Sequence, residues 1–217
     1  MYVDIVFPSK NEIKFIHLAS LLGYDGLCLC YSPKEFSQKR IDELQSQSPI
    51  KLYSAVKLNK PNKKIKSDLI ISEAKDEKYN RQRLEKSNVN ILFNLENQSG
   101  NDFIHQRNSG LNHILCNLAS KNRVSIGISF SNLMNKSFSP LLIGRISQNL
   151  RLCKKYKTKV IFASFAKDPY ELRSPLDLRS FLISIGSDNQ IAKESLINLF
   201  EMVEDNKTRI FNHVKVE

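Results

Sequence analysis

Residues 149–178, NLRLCKKYKTKVIFASFAKDPYELRSPLDL, hold a basic helix, a buried strand and the start of a second helix in direct succession. Leu142, Ile146, Leu150, Cys153 and Tyr156 recur at helical spacing, and at about 100° per residue they form one apolar face. Arg151, Lys154 and Lys155 project from roughly the other side, so the helix is amphipathic with a cationic back. Residues 160–163, VIFA, form a short apolar run with β-branched members, the pattern of a strand buried on both faces. A polar loop follows. Ser174 then stands as an N-cap with Pro175 at the first helical position, where the missing proline N–H is not needed.

The same alternation runs along the whole chain, which is the signature of βα units around a largely parallel sheet. Strands are expected at 2–7, 27–31, 51–58, 68–72, 90–95, 124–130 and 159–163. Helices are expected at 11–22, 34–46, 76–86, 111–122, 139–157, 175–185 and 189–203. Val124, Ile126, Ile128 and Phe130 alternate with Ser125, Gly127 and Ser129, giving one bulky and one small, polar face. Leu111, Ile114, Leu115, Leu118 and Ala119 form the stripe of a helix that covers that sheet. No Pro/Gly/Ser-rich linker and no internal repeat divides the series, so residues 1–217 are read as one domain. The expected fold is α/β, a TIM-barrel-like, irregular parallel βα barrel in which one or more of the usual units is degenerate. A doubly wound open sheet is the competing architecture.

Lys and Arg number 33 against 22 Asp and Glu, a net charge of +11, and the pI is near 9.5. Such a balance attracts polyanions by counterion release, although a cationic surface without a partner gives the same sum. Cys28, Cys30, Cys116 and Cys153 sit in apolar runs without CxxC spacing, so they read as small core residues rather than zinc ligands or disulfide partners. The chain opens directly on the strand-like MYVDIVF, and no window approaches a transmembrane span. A cytoplasmic protein that does not engage a membrane is expected.

Signatures of enzymatic chemistry are missing. With seven glycines in the chain there is no GxGxxG, P-loop or GxSxG element. His17, His105, His113 and His213 are not spaced as a ligand pair. What remains is basic. Lys57, Lys60, Lys63, Lys64 and Lys66 make a lysine-rich loop after the third strand, and Arg151, Lys154, Lys155, Lys157 and Lys159 make a second cluster. Lysine clusters give phosphate affinity without base readout, or simply a solvated face. Arg81, Arg83, Arg107 and Arg173 can do more, because a guanidinium fork bridges two phosphate oxygens or a carboxylate. Arg173 stands beside a helix start, where backbone N–H groups also attract anions, and its alternative is an internal pair with Asp177.

The chain resembles ribonuclease P protein component 3, the archaeal relative of the thirty-kilodalton protein subunit of eukaryotic ribonuclease P. The residues that carry the likeness are Leu150, Arg151, Leu152, Lys154, Lys155 and Tyr156, then Ser164 and Ala166, then PYELRSP at 169–175 with Asp177 and Leu178. SGLNHIL at 109–115 with Leu118, Ala119 and Asn122 looks like the central helix of that family, and Tyr2-Val3-Asp4 with Gly23-Tyr24-Asp25-Gly26 looks like its opening.

The resemblance implies an enzyme subunit that is not itself the catalyst. The RNA subunit would cleave the 5′ leader from precursor tRNA with Mg2+, and this chain would bind that RNA and protein component 2, meeting precursor tRNA through the holoenzyme. Carried over by position, the RNA- or partner-binding residues are Arg81, Arg107, Lys121, Arg173 and Lys193, then Lys155 and Asp177. No catalytic or metal-ligating residue and no cofactor held by the chain is implied; His113 is kept as a structural position.

The same resemblance sets the fold beside the metal-dependent barrels of the polymerase-and-histidinol-phosphatase group. Here DIVFPS at 4–9 and SFAK at 164–167 stand where those barrels carry ligand motifs, and Val6, Pro8, Phe165 and Lys167 are not ligands for such a cluster. A stand-alone metal-dependent phosphoesterase is the alternative reading and would need a different ligand set.

Overall fold

The computed structural model describes residues 1–59, 65–86, 88–136 and 138–214. Among these, seven strands form a single parallel sheet: β1 (Val3–Val6), β2 (Gly26–Tyr31), β3 (Lys51–Lys57), β4 (Leu69–Glu73), β5 (Ile91–Phe93), β6 (Ser125–Ser129) and β7 (Val160–Ala163). Their spatial order is their sequence order, so every crossover advances by one strand in the same sense. That is barrel topology; a doubly wound sheet would reverse direction at a switch point. The helices are α1 (Glu12–Leu21), α2 (Gln38–Gln45), α3 (Glu77–Lys86), α4 (His113–Lys121), α5 (Phe130–Asn135), α6 (Pro140–Lys155), α7 (Pro175–Ser184) and α8 (Asn189–Val214). None of the described helices is long and apolar enough to cross a membrane.

Each strand sends alternate residues inward and outward, and both directions are buried. Leu27 and Leu29 of β2 pack outward with Phe15 and Ala19 of α1 and Ile41 of α2, while Cys28 and Cys30 join Ile5, Tyr53, Ile71 and Ile91 inside. All four cysteines are free and buried, the small core residues their apolar surroundings imply. In β6, Ile126 and Ile128 face α4 and α6. The strand expected to run to residue 130 stops one residue earlier. Ser129 caps α5 by accepting a hydrogen bond from the Asn132 N–H (3.2 Å), so Phe130 opens a helix. Ser174 does cap α7, accepting from the Asp177 N–H at 3.1 Å with Pro175 in the first turn.

Seven strands leave a seam between β7 and β1, and Asp4 closes it. Its Oδ1 accepts both the Ile5 N–H (2.8 Å) and the Ser164 N–H (2.7 Å), and its Oδ2 accepts the Ser164 hydroxyl (2.5 Å). One carboxylate therefore stands in for a missing ladder rung. The next rung is ordinary backbone, Phe7 N–H to Ala166 C=O at 2.7 Å. Burial pushes the Asp4 carboxyl up to about 6, with the Ser164 hydrogen bonds pulling the other way. Outside the seam, the Tyr24 hydroxyl donates to the Arg173 carbonyl (2.8 Å), which holds the stretch 164–174 against β1.

At the opposite end α8 crosses the barrel. Leu199 and Val203 enter the interior cluster, Asn198 donates to the Val160 carbonyl (2.8 Å), and Asn206 donates to the Asp68 carbonyl (3.0 Å). The amino-terminal mouth of the barrel is thereby covered by the chain's last described helix.

Asp4→Ala should orphan three buried donors at once, and each unsatisfied group costs roughly 1–3 kcal/mol, so a loss of about 3 kcal/mol or more is expected in urea unfolding. Asp4→Asn keeps an Oδ1 acceptor and can donate to Ser164, so it should lose far less. Because the folded carboxyl titrates near 6 rather than 3.8, the wild type should lose stability as pH rises through that window, and the Asn variant should show a flatter profile. Equal losses for Ala and Asn would contradict the seam assignment.

Candidate nucleic-acid interface

In a βα barrel, chemistry belongs at the carboxyl ends of the strands. Here that mouth is filled. Phe93 and Phe165 stack at 4.7 Å with an interplanar angle of 6°, and Phe7 packs against both at 5.9 and 6.2 Å. The Lys57 ammonium lies 5.5 and 5.6 Å from the Phe7 and Phe93 ring centres and pairs with Glu73, which also accepts from Asn94 (3.1 Å). Gly127 makes the stack possible: a Cβ there would meet Phe93 Cβ at 2.7 Å and the Phe165 ring at 3.2 Å. Phe165 adopts φ +49°, a left-handed conformation that is costly for a bulky residue and that accompanies the inward placement of its ring beside the seam.

The residues of this mouth do not fit a metal cluster. Val6 packs outward, Phe165 occupies the interior, and Lys167 uses its N–H to cap onto Glu171 (2.8 Å). Among the described residues no group of three or more His, Cys, Asp or Glu converges on a point that could hold a metal ion.

The surface positions carried over by resemblance fall in several places rather than one. Lys121 and Lys155 are exposed at the last turns of α4 and α6, at the end of the barrel where strands begin, and the Lys155 ammonium lies 5.7 Å from the Tyr156 ring centre. Lys193 is exposed in the early turns of α8. Arg81 is exposed on α3 and pairs with Glu85 (2.8 Å). Arg83, grouped with it by sequence, is instead buried, with its guanidinium 4.6 Å from the Tyr79 ring centre. Lys57 belongs to the mouth, Lys66 is exposed, and Lys60, Lys63 and Lys64 lie outside the described residues.

Arg173 does not pair with Asp177. Its Nη1 donates to the Tyr170 and Leu172 carbonyls (2.9 and 2.6 Å), which fixes the guanidinium beside the start of α7. Asp177 instead accepts from the Ser174 hydroxyl at 2.8 Å. The capping contact is local and ready-made, so it outcompetes a pair four residues apart.

Arg107 sits in the long connection between β5 and α4, and that loop is built around a residue the periodicity of α6 hides. Arg145 falls on the apolar stripe between Leu142 and Ile146, is 2% exposed, and donates to Asp102 (2.8 Å) and to the Gln98 and Gly100 carbonyls (2.8 and 2.7 Å). Its guanidinium holds the Asp102 carboxyl below the usual carboxylate range, and Arg107 shares the same carboxylate at 3.0 Å. Gly144 lets the Arg107 guanidinium lie on α6, since a Cβ there would meet it at 2.3 Å. A cation on an apolar stripe is the signal that marks Arg145 in the sequence.

Glu96, at the base of the same loop, is fully buried, and neither carboxylate oxygen has a partner among the described residues. Burial pushes its carboxyl up to about 7.

These features define a nearly closed parallel βα barrel of the histidinol-phosphatase shape, with a plugged mouth and a cationic exterior. The family model described as RNase P subunit p30 matches residues 1–210, and the chain belongs to that family. It is a protein subunit of ribonuclease P, which acts in tRNA 5′ processing. Ribonuclease P protein component 3 of Methanococcus maripaludis strain S2 is 33% identical over 178 residues, 75% of this chain and 74% of the relative. Its counterpart in Methanocaldococcus jannaschii is 31% identical over 199 residues, 84% and 81% of the two chains. Among solved structures, a chain of the cryo-EM structure of archaeal ribonuclease P with mature tRNA superposes with a TM-score of 0.78 at 26% identity, covering 95% of this chain and 91% of that one. The histidinol phosphate phosphatase of Lactococcus lactis, with zinc, L-histidinol and phosphate, shares the fold at a TM-score of 0.60 and 12% identity, with 86% and 94% covered.

Glu96→Gln should stabilise the fold at alkaline pH. The folded carboxyl titrates near 7 and the free one at 4.5, so ionised Glu96 costs stability progressively across that window. The variant should match the wild type below the window and exceed it above by on the order of 3 kcal/mol. Urea midpoints that stay parallel across the whole range would show that Glu96 is compensated.

Proposed function

We propose that this chain serves ribonuclease P as an electrostatic and structural support for the RNA subunit, within a cytoplasmic ribonucleoprotein, and that the RNA performs the hydrolysis. The observation that carries this reading is the aromatic plug. The strand ends that would present a barrel's reactive groups present Phe7, Phe93 and Phe165 instead, with Lys57 neutralised by Glu73 over them, while Arg81, Lys121, Lys155 and Lys193 are exposed on the outer helices. A barrel so arranged can neutralise phosphate and hold an RNA fold, shifting the population towards the active conformer. The Mg2+ of the reaction would be held by the RNA, and the chain would carry no cofactor of its own.

In this reading the chain works beside protein component 2 and meets precursor tRNA in the assembled particle. The superposed archaeal chain belongs to a ribonuclease P particle with mature tRNA, which supports an RNA-bound setting here. Arg81, Arg107, Lys121, Lys155, Arg173, Asp177 and Lys193 would be the contacts to RNA or partner. Arg107 and Arg173 lead that group, because neighbouring acceptors already fix their guanidinium forks and little rotamer entropy is lost on contact.

Cleavage of precursor tRNA by the cognate RNA, with and without this chain and component 2, tests the reading. Stimulation should require the proteins, and the two proteins alone should cleave nothing. Arg173→Ala should reduce stimulation roughly 10- to 100-fold, the equivalent of about 1.5–3 kcal/mol for a charged hydrogen bond. Lys66→Ala, on an exposed and unanchored lysine, should cost much less. Equal losses with unchanged urea midpoints would mean that total charge, not a positioned arginine, carries the effect.

A further inference from the structure

Among the described residues, four helices of this barrel end in the same way. After α1, α4, α6 and α7 a residue with left-handed backbone turns the chain, its N–H reaching back three residues and the next N–H reaching back five. After α1 and α7 that residue is Gly23 (φ +84°) and Gly186 (φ +95°), the residue such a turn favours. After α4 and α6 it is Arg123 (φ +56°) and Lys157 (φ +52°). Long cationic side chains thus occupy two sites where backbone conformation disfavours them and where the same fold elsewhere uses glycine.

The two turns are neighbours. They lead into the adjacent strands β6 and β7, and the Ser120 hydroxyl donates to the Lys157 carbonyl (3.4 Å) across them. Between them and α8 runs a groove of about 640 Å3 lined by Arg123, Lys157 and Lys159, with Ser125 at its wall and Asp205 opposite. Arg123 and Lys157 are exposed and make no ion pair among the described residues. Lys159 reaches Glu201 at 3.4 Å. The Ser125 hydroxyl is buried without a hydrogen-bond partner among the described residues. A cation near a helix end also complements the helix dipole, but Lys121, Lys154 and Lys155 in the last turns already do so. The dipole therefore does not explain why the turn residues themselves are not glycine.

We propose that this groove is a binding site for phosphodiester groups of an RNA backbone, with Arg123 and Lys157 as its two principal cations. The site rests on the ribonuclease P reading and adds a place of contact to it, on the rim where the strands begin. Both left-handed residues line the groove, together with Lys159. Backbone phosphates rather than bases are the ligand, because the lining has no aromatic ring for stacking and the side-chain amides of Asn90, Asn122 and Asn206 are already engaged by the backbone of Ile70, Leu84 and Asp68, which leaves the cations as its main offering.

The test is salt-dependent binding of the full chain, together with component 2, to labelled ribonuclease P RNA and separately to precursor tRNA. The double variant Arg123→Gly with Lys157→Gly should bind about tenfold more weakly, with the slope of log affinity against log salt reduced by roughly 2, one for each lost phosphate contact. Its melting temperature should rise or hold, since glycine suits both turns. Arg123→Lys with Lys157→Arg should keep the slope, and so should Lys14→Ala with Lys39→Ala, which removes the same charge from exposed sites on α1 and α2. A slope change on the ribonuclease P RNA alone would assign the phosphates to the RNA subunit, and one on precursor tRNA alone would assign them to the substrate; either supports the site. An unchanged slope in the glycine variant, an equal change in the Lys14/Lys39 control, or a fall in melting temperature that tracks the binding loss would overturn it. If the unmodified proteins bind neither RNA, the ribonuclease P reading fails first and this site with it.

Discussion

The fold turns on one carboxylate. A parallel barrel must satisfy the edge-facing backbone donors of its first and last strands, and here β1 and β7 meet in a single bridge rather than a full ladder. Asp4 bridges them by taking three donors on two oxygens, at the cost of holding a charge in a site that favours the neutral acid. The stretch that follows β7 directly is arranged around that bridge. Ser164 must present both its N–H and its hydroxyl to Asp4, and Ala166 must meet Phe7 one rung further on. The residue between them, Phe165, is left with a left-handed backbone and a ring inside the barrel.

From that geometry follows the fate of the mouth. Once Phe165 points inward, it needs a flat apolar partner, and Phe93 supplies one across the bare Cα of Gly127. Phe7 completes the plug and Lys57 covers it, with Glu73 neutralising the ammonium. A zinc-bearing histidinol phosphate phosphatase shares the barrel shape, so the shape alone does not set the chemistry. Here the strand ends are occupied by aromatic packing, and a dense polar network lies further out, in the β5–α4 connection. Arg145 shows how the outer loops gain rigidity without regular structure: one buried guanidinium gathers Asp102 and a run of carbonyls into a fixed platform.

Much of this is readable from sequence, for physical reasons that differ by element. The seven strands are visible because parallel strands buried on both faces are unbroken apolar runs, and the α7 start because Ser174-Pro175 satisfies the orphan N–H groups in a way few other pairs do. Phe130 reads as strand because its two-residue period continues that of Ile126 and Ile128, and only the cap at Ser129 breaks it. Asp4 is visible as a family mark but not as a seam, since its three donors come from one neighbour and from a residue 160 positions away. Asp177 is a reasonable partner for Arg173 by spacing, yet a hydroxyl and two carbonyls lie closer. Arg123 and Lys157 do not stand out as a pair at all, because φ is not written in a lysine-rich composition.

If this barrel assists an RNA catalyst and has no hydrolytic centre of its own, a Mg2+ titration of precursor-tRNA cleavage tests that division of labour most directly. It is run for the RNA alone, for the RNA with this chain and component 2, and for the proteins alone with Mg2+, Mn2+ or Zn2+ in turn. The proteins should lower the Mg2+ needed by the RNA, as phosphate neutralisation by Lys and Arg requires, and the proteins alone should be inert with every metal. Metal-dependent cleavage by the chain without RNA, abolished by a chelator, would contradict it.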